Sequence, residues 1–275
     1  MQEIYEFRIP ETWACEWLEP RDGTKTRSGS VRIVKTRKGS DLFDRVLRAE
    51  ATRRMTGDRL FLSWFVRREY DREELNAAEL LLLNIFNVFE PAGEEFGVVY
   101  LPDVEGPAES ANRIGPLILE CSRFRGNSFC TSIAGEVLVA PEMQRLIGKE
   151  AFTGLEFGPV VCKGREPSKR GWAELVVTSR HLTISPRTVI GVDPLELGPR
   201  RGTGSGENIG LNVMSEVTVV RDSWDGSDFV VSKQTVGSLQ GLLRPRRLLM
   251  VSKRVFDAMP SRMRRGLDFE VIRFN

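Results

Sequence analysis

The chain has few side chains of the kinds that build catalytic or metal centres. His181 is the single histidine, so a zinc site made of two or three imidazoles is excluded within one chain. A Ser-His-Asp or Cys-His relay would have to run through this residue, which lies in a strand-like SRHLTIS stretch. The cysteines form no C-x-x-C pair, the spacing typical of zinc ribbons. The sequence therefore predicts no catalytic residues, no metal site and no cofactor.

Carboxylates offer another route to chemistry. Glu94 with Glu95, or Asp222 with Asp225, could supply the acid and the base of a hydrolase. Nothing in the sequence sets the distance between the two groups of either pair, so a carboxylate-based hydrolase remains an alternative function. Asp222, Asp225 and Asp228 recur every three residues, which does not match the ligand spacing of an EF-hand loop.

The charge is balanced overall but uneven along the chain. Its 275 residues include 40 basic and 38 acidic side chains, and a net charge of +2 is too small for a general polyanion binder. Residues 71–110 hold ten acidic residues and one basic residue, whereas residues 241–275 hold nine basic and three acidic residues. The acidic stretch would suit a partner with a basic surface.

The basic segment makes nucleic-acid binding a second alternative function. Exposed aromatic residues do not alternate with its basic residues, and it matches no known nucleic-acid-binding motif, so we do not expect nucleic acid to be the partner. The side chains that would carry such binding are Arg244, Arg246, Arg247, Lys253, Arg254, Arg262, Arg264 and Arg265.

Helices and strands that would position these groups can be read from the first third of the chain. Apolar spacing predicts a helix over 41–55, capped at Ser40 or Asp41. A strand is predicted over 30–35 because its residues alternate, and another over 59–70 because that run is rich in aromatic and β-prone residues.

The next segment predicts a central buried helix. Asp71 and Glu74 have the spacing of a capping box, in which each side chain accepts from the other residue's backbone N–H. The helix over 72–88 that would follow is apolar nearly all round. Together these elements predict an α+β fold with mixed and antiparallel sheets and packed helices, divided into an N-terminal region (residues 1–115) and a C-terminal region (residues 116–275).

Two segments of the C-terminal region are similar to each other. Residues 137–160 align without gaps on residues 249–272, and Gly-Leu-Glu-Phe in the first meets Gly-Leu-Asp-Phe in the second. Each segment reads as a strand, a short helix, a loop and a strand. We expect duplicated strand-helix-strand units.

Residues between the two segments predict a hairpin. SEVTVV and DFVVS read as strands, and Asp225-Gly226 between them is a favourable turn pair. An indole at the tip of such a turn would be exposed. Trp224, Asp225 and Asp228 are therefore candidate contacts for a partner.

The run with Trp224, Gly226, Asp228 and Phe229, W-x-G-x-D-F, followed by VSKRVFDAM, resembles the Imm11-type family of bacterial immunity proteins. The layout of the two halves is similar to that of double-CxxCG immunity-like proteins, although the cysteine pairs of that group are absent. The likeness covers residues 70–275. It implies a protein that neutralises a cognate protein toxin by direct contact, without a metal.

The start of the predicted helix is a second candidate contact surface for that toxin. Asp71, Glu73 and Glu74 would present three carboxylates there, although they also favour the helix dipole. No apolar run approaches the about 20 residues of a membrane span, and the first residues contain no apolar signal segment. We therefore expect a cytoplasmic protein that does not bind membranes.

Overall fold

The computed structural model of the chain describes residues 1–89, 98–101, 113–120, 128–162, 171–191, 209–210, 212–237 and 244–275. Its helices and mainly antiparallel strands confirm the predicted α+β class. Contacts divide the described residues into two compact units, Met1–Glu74 and the described residues from Leu75 onwards. This division falls earlier in the chain than the boundary near residue 115 that the sequence predicts.

Unit 1 is an antiparallel sheet in the order β2-β3-β1-β4, joined by helices. Its elements are β1 (Gln2–Pro10), α1 (Glu11–Trp17), β2 (Thr24–Lys25), β3 (Val31–Arg37), α2 (Asp41–Met55) and β4 (Ser63–Glu69), and α3 (Arg72–Ala77) begins within it. The predicted helix over 41–55 is confirmed. Ser40 caps it by accepting a hydrogen bond from the backbone N–H of Phe43 at 3.2 Å.

The core of unit 1 follows from the alternation of β1. Tyr5, Phe7 and Ile9 point to one face and are buried, where they pack with Phe43 and Val46 of α2. Side chains that alternate in a strand point to opposite faces, so a single apolar set is enough to bury one side of the sheet.

A buried arginine ties α1 to the sheet of unit 1. The guanidinium of Arg32, on β3, donates through Nε to Glu11 at 3.0 Å, and Lys25 Nζ lies 2.9 Å from the same carboxylate. Hydrogen bonds from Arg32, and then from Lys25, lower the pKa of Glu11 from 4.5 to about 2. The carboxylate therefore stays charged well below the usual titration range of glutamate.

Unit 2 contains two larger sheets. Sheet I has the order β12-β14-β11-β10-β6, and sheet II has the order β18-β19-β5-β20. The elements of these sheets and their helices are β5 (Leu80–Ile85), β6 (Val88–Phe89), β10 (Phe129–Ser132), β11 (Val137–Val139), α4 (Pro141–Glu150), β12 (Leu155–Gly158), β14 (Ala173–Val177), β18 (Phe229–Val236), β19 (Arg246–Ser252), α5 (Lys253–Ala258) and β20 (Leu267–Val271).

Short strand pairs complete the described portion of unit 2. They are β7 (Val99–Tyr100) with β8 (Arg113–Ile114), β9 (Leu117–Leu119) with β13 (Val160–Cys162), β15 (Ile190–Gly191) with β16 (Asn212–Val213), and β17 (Thr218–Val219) with β21 (Arg273–Phe274). Across the described residues, no helix is long and apolar enough to cross a membrane.

The predicted helix over 72–88 is wrong beyond its first turn. The helix ends at Ala77, and Leu80–Ile85 is a strand in the interior of sheet II, paired with β19 and β20. A strand that is covered on both faces needs apolar residues at successive positions, and such a run has no periodicity that separates it from a buried helix. Burial of the segment is confirmed only in part: Leu80–Leu83 are buried, whereas the helix over Arg72–Ala77 has no buried residue and Phe86 and Val88 are exposed.

The duplicated strand-helix-strand units are present, and they pair in the same register. Residues 137–160 form β11, α4 and β12, and residues 249–272 lie in β19, α5 and β20. In sheet I the paired residues are Phe129 with Val139, Leu138 with Glu174, and Leu155 with Val177. The equivalent pairs in sheet II, in the same order, are Phe229 with Val251, Met250 with Leu82, and Leu267 with Ile85. Both copies therefore place their four strands in one arrangement.

The hydrogen bonds at the joints of the two copies repeat as well. Ala140 N donates to Ser128 O at 2.8 Å, and Ser252 N donates to Asp228 O at the same distance. Thr178 N donates to Gly154 O at 2.9 Å, and Phe86 N donates to Gly266 O at 2.9 Å. The likeness thus extends beyond the aligned segments to backbone contacts made by the flanking residues.

Glycine is required where each copy enters its last strand. Gly154 has φ +83° and Gly266 has φ +79°, a region that residues with a Cβ adopt at a cost. A Cβ at Gly154 would lie 2.1 Å from the carbonyl oxygen of Phe229, and one at Gly266 would lie 2.4 Å from the Asn87 side chain. The glycine of the shared Gly-Leu-acidic-Phe pattern is therefore required by the backbone conformation of this turn.

Each copy contributes its first strand to the sheet that the other copy forms. Along the chain, copy 1 is β5, β10, β11, α4 and β12, and copy 2 is β14, β18, β19, α5 and β20. However, β5 lies between β19 and β20 in sheet II, and β14 lies between β11 and β12 in sheet I. Unit 2 therefore consists of two interlocked copies with exchanged first strands.

We predict that Leu80→Asp strongly destabilises the protein. The new carboxylate would be buried without a partner in the middle of sheet II, at a cost of at least about 3 kcal/mol. Urea unfolding measures the effect. Leu62→Asp is the matched control because Leu62 is 65% exposed, and its stability should stay near that of the wild type. Equal stability of the two variants would contradict the placement of β5.

A second prediction concerns acid. Because the pKa of Glu11 is lowered from 4.5 to about 2 by folding, its contribution to stability is complete above pH 4.5 and is lost as the pH falls towards 2. In Glu11→Gln, the free energy of unfolding should therefore depend less steeply on pH over this window. Chemical denaturation from pH 5 to pH 2 tests this, with Glu16→Gln, from the same helix, as the control. Parallel curves for wild type and Glu11→Gln would refute the ion pair.

Candidate functional site

The segment 221–228, here called the acidic turn, holds three of the predicted contact residues. It begins with a 3-10 turn over Arg221–Ser223 and leads into β18. The predicted hairpin is wrong, because β17 pairs with β21 and β18 pairs with β19. The flanking strands bond to other partners, so the turn connects two different strand pairs.

The Trp224 side chain packs against the protein and holds the acidic turn in place. Its ring stacks on Phe274 with centroids 5.6 Å apart, and its indole Nε1 donates to Ser227 O at 3.2 Å. It is half-buried and packs against the apolar core that includes Val219 and Met250. The expectation of an exposed indole at a hairpin tip is therefore wrong, and the ring has a clear structural role.

Asp228 is a buried junction residue. Its carboxylate accepts from Thr153 N at 3.1 Å, from Ser252 Oγ at 2.7 Å and from Arg254 Nη1 at 2.8 Å. Thr153 precedes β12 of copy 1, whereas Ser252 and Arg254 belong to copy 2. Asp228 therefore fixes the end of the acidic turn to both copies, and only 5% of it is exposed.

Asp225 is the candidate contact that faces solvent. It accepts from Ser179 Oγ at 2.7 Å and from Ser227 N at 2.9 Å, and the residue is exposed. Partial burial raises its pKa, but the hydrogen bonds from Ser227 and Ser179 outweigh this effect, so the pKa lies below the usual value. The acidic turn therefore presents a charged carboxylate in a fixed position, next to exposed Asp222.

The second predicted surface lies in unit 1, at the start of α3. Asp71 and Glu74 form the predicted capping box: Glu74 N donates to Asp71 Oδ1 at 2.8 Å, and Asp71 N donates to Glu74 Oε2 at 3.0 Å. Asp71 and Glu73 are exposed, and Glu74 is half-buried. Capping accounts for two of the three carboxylates, and Glu73 is left as an outward charge. Glu94 and Glu95 lie outside the described residues.

Several basic side chains of the C-terminal segment have partners within the protein. Arg254 pairs with Asp228, Lys253 with Asp257 and Arg262 with Glu142. Arg264 donates to backbone carbonyls of Met259 and Phe256, and the guanidinium of Arg244 lies over the Tyr100 ring at 3.9 Å. Much of the positive charge that suggested nucleic-acid binding is thus used to hold helices and loops together.

A buried polar network lies at the end of sheet I. Glu136 accepts from Tyr100 Oη and from Ser132 Oγ. Arg113 binds Glu174 through both terminal nitrogens, with Nη1 2.9 Å from Oε1, and its Nη1 is 3.7 Å from Glu136. Burial and the neighbouring Glu136 raise the pKa of Tyr100, so its hydroxyl stays protonated and acts as a donor.

Sequence reasoning missed this network because its members come from four separate segments of the chain. Burial raises the pKa of Glu174, and the hydrogen bonds from Arg113 oppose that shift. Each carboxylate already accepts two strong hydrogen bonds, so the network holds β8, β11 and β14 together. A local signal did exist, since an isolated glutamate within the apolar WAELVV strand needs a buried partner.

Comparison with known proteins yields neither a family nor a relative. No family model matches the chain, and no curated protein matches it.

We predict that Trp224→Ala loosens the acidic turn and lowers stability. Removal of the ring exposes Phe274 and deletes the hydrogen bond to Ser227, a loss of about 2 kcal/mol for a half-buried indole. Thermal unfolding measures this loss. Trp17→Ala is the control, because Trp17 is an exposed indole on α1 and its removal should cost much less. A Trp224→Ala protein as stable as the control would contradict the supporting role of this residue.

Proposed function

We propose that the protein neutralises a cognate protein toxin by direct contact, with the acidic turn as part of the contact surface. The observation that carries this proposal is the exposed Asp225 carboxylate, which Ser179 and Ser227 hold in one position. The resemblance of W-x-G-x-D-F to Imm11-type immunity proteins falls on the same turn and supports the same function.

Pre-organisation is the physical reason that this turn suits a partner. Binding costs free energy when loops and side chains become ordered, and a turn that is already fixed avoids most of that cost. Trp224 stacks under the turn and Asp228 anchors its end, so Asp225 and Asp222 reach a partner on a rigid support. The partner group would be an arginine or lysine, because a charge-assisted hydrogen bond to a carboxylate is strong and directional.

The geometry of the acidic turn gives little support to the alternative that the protein is a carboxylate-based hydrolase. Hydrogen bonds keep Asp225 charged, which suits a fixed negative charge better than a proton donor. Asp228 is fully engaged by donors from both copies. The turn is therefore arranged for recognition through charge.

The proposal places the protein in the cytoplasm of the producing cell, where a toxin would be met before export. Among the described cysteines, Cys15 and Cys130 are free thiols, and Cys162 is disulfide-bonded. Disulfides are rare in the cytoplasm, so the Cys162 bond argues against this location. Cell fractionation with thiol trapping tests the location: a cytoplasmic pool with reduced Cys162 agrees with the proposal, and an exclusively exported pool contradicts it.

The decisive experiment measures binding to a protein toxin that a neighbouring gene encodes in the host. Asp225→Asn keeps the shape of the side chain and removes its charge, so we expect about tenfold weaker binding, or about 1.4 kcal/mol. Protection of cells that express the toxin should fall in parallel. Surface plasmon resonance at two salt concentrations provides the affinities.

Asp257→Asn is the matched control. Asp257 is also an exposed carboxylate of copy 2, but it pairs with Lys253 within α5 and not with a residue of the acidic turn. This variant should bind and protect as the wild type does. Wild-type protein that fails to bind the toxin would refute the function, and full binding by folded Asp225→Asn would remove the acidic turn from the interface.

A further inference from the structure

A cleft lies in unit 2 where the two copies face each other. Its walls are the β10–β11 connection, β14, and the beginning of β19, and its interior of about 80 Å³ exceeds the roughly 10–15 Å³ that one ordered water requires. Ligand sites form preferentially at such junctions between structural halves. The residues that give the cleft its charge are Arg180, Arg246, Arg247, Glu136 and Glu174.

Copy 2 places arginines where copy 1 has its smallest residues. In the shared register, Glu136 of copy 1 corresponds to Leu248 of copy 2, and both backbone N–H groups donate to the equivalent serines Ser132 and Ser232. The two residues before Glu136 are Ala134 and Gly135, and the two before Leu248 are Arg246 and Arg247.

These equivalent positions meet across the cleft. A Cβ on Gly135 would lie 4.0 Å from Cβ of Arg246, so the small residues of copy 1 leave the space that the arginines of copy 2 border. The sequence difference between the two copies at these positions therefore creates both the space in the cleft and its positive charge.

The net charge of the cleft is positive because three arginines line it against two glutamates, one of which is paired with Arg113. Glu174 is bound by Arg113, and Glu136 accepts from Tyr100 and Ser132. Arg113 and the two glutamates together carry a charge of about −1, against three arginines in the lining.

The three arginines differ in how they are held. Arg180 Nε donates to Val177 O at 2.8 Å, and Arg247 Nη1 donates to Ser232 O at 3.1 Å. Among the residues that the structure describes, the Arg246 side chain has no hydrogen bond and no ion pair. Arg246 is exposed to solvent, so its charged guanidinium is accessible to a partner with negative charge.

We propose that this cleft binds a small tetrahedral oxyanion, phosphate or the phosphate group of a small metabolite, with Arg246 as the principal ligand. A guanidinium donates two parallel hydrogen bonds to two oxygens of such an anion. Arg180 and Arg247 flank the anion and add charge. The proposal is independent of toxin binding, because the cleft and the acidic turn use different residues.

The test is isothermal titration calorimetry with sodium phosphate at constant ionic strength. We expect saturable binding of one phosphate per chain to the wild type and at least tenfold weaker binding to Arg246→Gln. Arg246→Lys keeps the charge but loses the two-pronged geometry, so its affinity should lie between these two. Arg265→Gln, which changes an exposed arginine outside the cleft lining, should bind as the wild type does.

A second titration with glycerol 3-phosphate separates the two sources of the anion. Stronger binding of the ester than of phosphate assigns the site to a phosphorylated metabolite, and binding of phosphate alone assigns it to the free anion. Absence of saturable heat with both probes overturns the proposal. So does equal affinity in Arg246→Gln and Arg265→Gln, provided that circular dichroism shows both variants folded.

Discussion

Burial of β5 and β14 inside the sheets is the constraint on which unit 2 depends. Each strand lies between two strands of the other copy, so every backbone N–H and C=O along it must be paired within the sheet. In sheet II, β5 is buried on both faces, so it needs apolar side chains on both, and the Leu80–Leu83 run supplies them. Neither copy can complete its own sheet, and the two must fold as one body.

The same constraint explains which features could be predicted from the sequence. The α2 helix and the α3 capping box follow from short-range spacing, the duplication follows from the alignment of two segments, and the structure shows all three features. The strand at 80–85 could not be distinguished from a buried helix, because full burial erases the period that separates the two. The partners of β17 and β18 depend on residues distant in the chain, so local sequence signals favoured a hairpin.

The candidate sites could be predicted only in part from the sequence, because they also depend on contacts between distant residues. The sequence located the acidic turn, but it could not show that Trp224 packs inward and that Asp225 faces out. The network around Glu136 and Arg113 joins residues with no common motif. Asp228 is the most informative case, since one carboxylate receives donors from both copies and links the acidic turn to the duplication itself.

Hydrogen exchange measures the exchanged-strand arrangement most directly. Amides of β5 and β14 are enclosed by neighbours on both sides, so they should be among the slowest to exchange in unit 2 and should open with one shared free energy. Mass spectrometry with peptides that cover 80–85 and 173–177 resolves both strands, with the outer strands β12 and β20 as internal references. Exchange of β5 or β14 as fast as that of β12 and β20, or opening of the two at clearly different free energies, would contradict the interlocked fold.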